Sequence, residues 1–191
     1  MGSELERKLD YDDYLAAPSD GQRYEIIRGE LYVTPAPSPL HQRVSRRLLR
    51  QLADFFHERG LGEVFDAPID LILTPHDILQ PDLLVVASDS GITKRGVERP
   101  PWLVVEILSP STRKQDQGIK LERYAQLAVQ HYWLVDPEAR RITCYHRIGD
   151  RFEELTRAEK DEVLRHTDWG GLELRLEPLW RPSPAAGRIG S

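Results

Sequence analysis

Two acidic residues of this 191-residue chain stand where acids are expensive. Asp82 directly follows Pro81 and opens the apolar run Asp82–Ala87, and Glu106 lies inside Leu103–Leu108. Strand side chains alternate, so Trp102, Val104, Glu106 and Leu108 share one face while Leu103, Val105 and Ile107 share the other. Both faces are otherwise apolar, the pattern of a central strand covered on each side. A carboxylate there loses hydration at a cost that only a cation or strong donors offset. A turn cap for Asp82 and a salt bridge to an arginine for Glu106 are the plainer readings. Two carboxylates on neighbouring strands are also what a hard cation takes, since Mg²⁺ is typically held by one or two carboxylates with water and phosphate oxygens. A metal so held lowers the pKa of its water and neutralises charge that builds on a phosphodiester.

The elements that must position these residues follow from periodicity and punctuation. Leu9–Leu15 reads as a short helix before Pro18. Tyr24–Ile27 and Glu30–Val33, joined by Arg28-Gly29, read as a hairpin. After the proline-rich TPAPSP, a helix is expected over about Pro39–Glu58, with Val44, Leu48, Leu52 and Phe55 on one face and Arg43, Arg46, Arg47 and Arg50 on another. Strands are expected at Val64–Leu73, Asp82–Ala87 and Leu103–Leu108, a helix at about Gln115–Ala128, and a strand at His131–Val135. From Pro39 to Asp136 the order is α-β-β-β-α-β. Antiparallel strands at Ile142–His146 and Phe152–Leu155 extend the sheet, and Leu172–Leu176 alternates as a further strand. One domain is expected over 1–180, with a flexible tail at 181–191.

With 40% hydrophobic and 30% charged residues, the chain has both a core and a solvated surface. Its apolar runs are far shorter than a bilayer crossing, and the charged N-terminus does not read as a signal peptide. The single cysteine, Cys144, excludes a disulfide framework and a cysteine zinc cage, so a cytoplasmic setting is the simplest fit. A net charge of -5 argues against wrapping nucleic acid by bulk charge. It leaves open an enzyme whose carboxylates hold a cation. The arginine stripe is read first as a solvated face. His57, His76, His131, His146 and His166 show no metal-ligand spacing.

The order of PD, a strand carrying an acid, and a helix carrying lysine resembles the PD-(D/E)xK nuclease superfamily. The blocks GELYVTPAPSPLHQRV, QPDLLVV, VVEILSPSTRKQDQGIKLERYAQLAV and HYWLVDP more narrowly resemble the Uma2 family (DUF820) of restriction-endonuclease type, over about Tyr24–Pro137. That resemblance implies an α/β fold with a restriction-endonuclease-like αβββαβ core. It also implies a mixed central sheet flanked by helices and extended by antiparallel strands. The activity implied is metal-dependent endonuclease cleavage of DNA with Mg²⁺ or Mn²⁺; cutting both strands of a duplex from one site per chain favours a homodimer.

Carried over by position, Asp82 and Glu106 match the motif acids, with the carbonyl of Ile107 as a further metal ligand. The third motif position departs: it holds Leu108 where the superfamily has lysine. Lys120 in DQGIKLERY takes that place by resemblance. Asp116, Lys120 and Tyr124 recur at helical spacing, and an ordinary ion pair between Lys120 and Asp116 is the plainer alternative. GE…H in the same family implies Glu30 as a third acid and metal ligand, with His41 orienting the cluster. Two rivals stand beside the nuclease reading: a binding module whose chemistry has lapsed, favoured by Leu108 and the acidic charge, and a hydrolase of small phosphodiesters.

Overall fold

A computed structural model describes residues 7–87 and 91–182; most of the tail expected at 181–191 lies outside the described residues. The chain opens with α1 (Tyr11–Leu15) and the hairpin β1 (Arg23–Ile27) and β2 (Glu30–Thr34). Its connector has φ of 58° at Arg28 and 86° at Gly29. Two left-handed residues in a row match the right-handed twist of the flanking strands. The long helix α2 (Pro39–Glu58) starts on Ser38, whose side chain accepts from the His41 amide at 3.2 Å, with proline in the first turn.

Next come β3 (Glu63–Asp66), β4 (Leu71–Thr74), β5 (Asp77–Leu79), β6 (Leu83–Val86) and β7 (Leu103–Ile107). The single strand expected at Val64–Leu73 is thus two strands in different sheets, because the chain turns through Ala67-Pro68. The second expected helix begins as α3 (Arg113–Gln115), passes through a π-helical turn (Asp116–Lys120) and ends as α4 (Leu121–Gln126). Strands β8 (His131–Asp136), β9 (Arg141–Ile148), β10 (Arg151–Glu159), β11 (Val163–Arg165) and β12 (Glu173–Arg175) follow, then α5 (Glu177–Trp180).

The central sheet is six-stranded, in the order β10-β9-β8-β7-β6-β3, and mixed: β7 and β8 are parallel and the other pairs antiparallel. A second sheet, β2-β1-β5-β4, is antiparallel, and β11 pairs with β12. Helix α2 covers one face of the central sheet, burying Val44, Leu48, Leu52 and Phe56 among Leu83, Val85, Leu103, Val105 and Trp133. On the other face Leu84, Val104, Leu108, Tyr132 and Leu134 meet Tyr124 of α4 and Ile27, Leu71 and Leu79 of the second sheet. Each fully buried Leu, Ile or Val contributes roughly 1.5–3 kcal/mol. Being covered on both sides is what makes LVVEI an almost unbroken apolar run.

Candidate active site

Strand pairing sets the first distance. Leu83 pairs with Val105 and Leu84 with Val104, so the same register puts Asp82 opposite Glu106. Both side chains project from the face covered by α4 and the second sheet. The second sheet delivers its residues from close by: β5 runs through Gln80-Pro81 straight into Asp82, and β1 pairs with β5 at Ile26 and Ile78. Helix α4 is fixed over that sheet by Arg123, whose Nε and Nη2 donate to the buried Asp77 carboxylate at 2.8 and 2.6 Å. Such a bidentate pair sets orientation as well as distance.

The resulting cavity is about 230 Å³. Arg23, Glu25, His41, Asp82, Glu106, Asp116 and Lys120 all line it, with Ser109, Ser111 and Thr112 along one wall. The Lys120 ammonium lies 2.9 Å from Glu25 Oε2, 3.1 Å from Glu106 Oε1 and 3.7 Å from Asp116 Oδ1. Tyr124 donates its hydroxyl to Glu106 Oε1 at 3.1 Å. The Ile107 amide donates to Asp82 Oδ2 at 2.8 Å, and Arg23 Nη1 donates to Asp82 Oδ1 at 3.0 Å. His41 Nε2 lies 3.0 Å from Asp82 Oδ2. A carboxylate only accepts, so this contact puts the proton on Nε2, and His41 Nδ1 is left buried without a partner.

Four of the five expected side chains therefore gather in one place: Asp82, Glu106, Lys120 and His41, none more than 9% exposed. Glu30 does not, and its place in the cluster is corrected. It sits exposed on the edge strand β2, opposite Ile27, and accepts from the Tyr32 hydroxyl at 3.1 Å. The acid that completes the cluster is Glu25, opposite Tyr32 on the inner strand β1 and 1% exposed. Two residues along a strand amount to about 7 Å, which is why Glu30 falls beyond the cavity although it shares a face with Glu25. Leu108, at the motif's lysine position, is packed in apolar core. The arginine stripe on α2 divides. Arg46 and Arg50 are exposed, while Arg47 donates to the carbonyls of Pro178 and Leu179 and so ties down α5.

The electrostatics are lopsided. Burial pushes the Glu106 carboxyl well above the usual carboxylate range; Lys120 opposes this, while Asp116, Asp82 and Glu25 add to it. Burial likewise pushes Asp116 up to about 6 in spite of Lys120. Burial also works against charge on Lys120, but Glu106, Glu25 and Asp116 outweigh it and hold the ammonium well above its ordinary range. For Asp82, burial is overcome by His41, Arg23 and the Ile107 amide, which keep the carboxylate below its ordinary value. Four carboxylates thus share two permanent cations, Lys120 and Arg23.

Among the described residues no three His, Cys, Asp or Glu side chains stand ready as a metal cage. The donor set nonetheless fits a hard cation. It is all oxygen and in negative excess, and Asp116 Oδ1 is buried with no hydrogen-bond partner. Asp82 and Glu106 are the residues that would hold the ion.

The family model for Uma2, described as "Putative restriction endonuclease", matches residues 11–177. The chain belongs to the Uma2 family. Among the relatives of this chain are two uncharacterized proteins of Synechocystis. One, sll1609, is 29% identical over 139 residues, covering 71% of this chain and 78% of the relative. The other, slr1290, is 28% identical over 146 residues, covering 75% and 76%. A crystal structure titled as a "putative nuclease belonging to DUF820" from Anabaena variabilis superimposes with a TM-score of 0.72 at 18% identity, over 90% of this chain and 97% of that one. The Uma2 fold is thereby shown to be shared with that protein. Among the described residues no helix is long and apolar enough to cross a membrane.

Proposed function

We propose that this Uma2 protein is an endonuclease that hydrolyses phosphodiester bonds of DNA with Mg²⁺ or Mn²⁺. The observation that carries the reading is the opposition of Asp82 and Glu106 on neighbouring strands, at the wall of a cavity that Lys120 enters. Asp82 and Glu106 would hold the cation, with the Ile107 carbonyl as a further ligand. The ion when bound would supply a more acidic water and charge neutralisation at the phosphate. Lys120 takes the part that Leu108 cannot, orienting the attacking water or stabilising charge on the phosphoryl oxygens. Glu25 and Tyr124 hold Lys120 and Glu106 in register from either side. His41 fixes Asp82 through Nε2. Cutting both strands of a duplex takes two such sites, and a symmetric homodimer is part of the proposal.

The test is cleavage of supercoiled plasmid and of bis(p-nitrophenyl) phosphate in Mg²⁺, Mn²⁺ and chelator, with Asp82→Asn and Glu106→Gln as controls. Metal-dependent nicking abolished by both substitutions supports the reading. Turnover of the small diester without plasmid cleavage would favour a small-substrate hydrolase. Inertness in every metal would favour a binding module.

A further inference from the structure

The cavity poses a problem that its carboxylates cannot solve. A phosphodiester arrives with a negative charge and meets Glu25, Asp82, Glu106 and Asp116. Of the two permanent cations on its walls, Lys120 has its ammonium within 3.7 Å of three carboxylates. Arg23 is different. Its Nη1 is shared between the Gln80 carbonyl at 3.1 Å and Asp82 Oδ1 at 3.0 Å. Its Nη2 and Nε make no hydrogen bond to any described residue, and the side chain stays 19% exposed at the cavity wall. A guanidinium carries five N–H donors in a planar fork matched to phosphate. A residue serving only to neutralise Asp82 would have no use for the rest of that fork.

We propose that Arg23 is a substrate-binding residue that holds Asp82 in the cation-free site and grips the phosphate next to the reacting bond once a divalent cation relieves it of that charge. The proposal rests on the nuclease reading above and adds a regulatory element to it. Arg23 competes with the cation for Asp82, and the competition ends with the arginine handed to the substrate. Arg23 begins β1, two residues before Glu25 on the same face, so one strand end supplies both the acid that anchors Lys120 and the donor for the phosphate.

The experiment measures Mn²⁺ binding by calorimetry and plasmid cleavage for wild type, Arg23→Gln, Arg23→Lys and Arg23→Ala. Removing a positive charge beside the ion should tighten Mn²⁺ about tenfold in Arg23→Gln, while cleavage falls at least about 30-fold, mainly in KM. Arg23→Lys should keep metal affinity near wild type and recover only part of the cleavage. Guanidinium ion added to Arg23→Ala should restore activity in part. Weaker Mn²⁺ binding in both Arg23→Gln and Arg23→Lys, with no guanidinium rescue, would overturn the proposal and leave Arg23 a structural lock on Asp82. A wild type that binds Mn²⁺ and cuts, paired with an equally active Arg23→Gln, overturns it while sparing the nuclease. A wild type that binds no Mn²⁺ overturns both.

Discussion

Replacing Lys120 with methionine tests the buried charge cluster directly. Methionine keeps most of the side-chain volume and removes the ammonium that lies 2.9 Å from Glu25 and 3.1 Å from Glu106. Those carboxylates are 1% and 2% exposed, so water cannot take over. Breaking a buried ion pair by deleting one partner costs about 3–5 kcal/mol, which for a chain of this size lowers the Tm by roughly 10 °C.

The loss has a pH signature. Lysine's folded-state value lies above its ordinary 10.5, so its contribution is present at every pH below that. Asp116 behaves differently: it is held at about 6 against an ordinary 3.8, so its folded state binds the proton first and acid relieves the cluster between those values. Without Lys120 that relief grows. The deficit of the variant should therefore be largest near pH 8 and shrink by pH 5. Urea unfolding followed by tryptophan fluorescence at the two pH values measures it. A deficit below about 1 kcal/mol at pH 8, or one that widens on acidification, would refute the cluster electrostatics.

Glu25→Gln should abolish metal-dependent cleavage and destabilise the fold by about 3 kcal/mol, whereas Glu30→Gln should leave cleavage intact and move stability by no more than about 0.5 kcal/mol; paired nicking assays and denaturation curves would show the reverse if the edge-strand acid were the functional one. Against the face of the central sheet that α2 covers, near Trp133, His166 stacks on Trp169 at 4.3 Å with both ring nitrogens buried and unpartnered. Burial, with His131 and His146 adding to it against Asp168, pushes it down from 6.5 to about 4. Its folded value is depressed, so the unfolded chain binds the proton first. Stability is lost as pH falls from about 6.5 to about 4, by at most about 3 kcal/mol and nearer 2 once the solvent reaching the ring is counted. His166→Phe should flatten that limb of the stability profile in thermal melts.

The sequence made the scaffold of the site legible and hid its charge partners. Helix α2 could be read residue for residue because a serine cap, an early proline and a clean apolar face mark it. Strand β7 could be read because a sheet covered on both faces writes itself as LVVEI, leaving Glu106 conspicuous. Strand β5, only three residues long, is too short to announce itself by alternation, and the shift from β3 to β4 depends on which sheet each joins. Glu25 looks like any acid in a half-exposed hairpin strand. What buries it is Lys120, 95 positions away, together with the Gln80 amide at 2.9 Å. The usable signal was the alternation Arg23, Glu25, Ile27, which puts a cation and an acid on the same face as a core residue. Arg23 is inconspicuous for the same reason: its partner Asp82 is brought near only when the second sheet runs into the central one. The π-helical turn around Gly118 likewise left no periodic mark, yet it carries Asp116 and Lys120 toward Glu106.

The most direct measurement is an anomalous difference map from a crystal of this protein soaked in Mn²⁺. A peak is expected in the cavity between the Asp82 and Glu106 carboxylates, with Lys120 still against Glu25. A crystal whose cavity carries no Mn²⁺ at saturating concentration, or whose manganese sits only on surface acids, would contradict it.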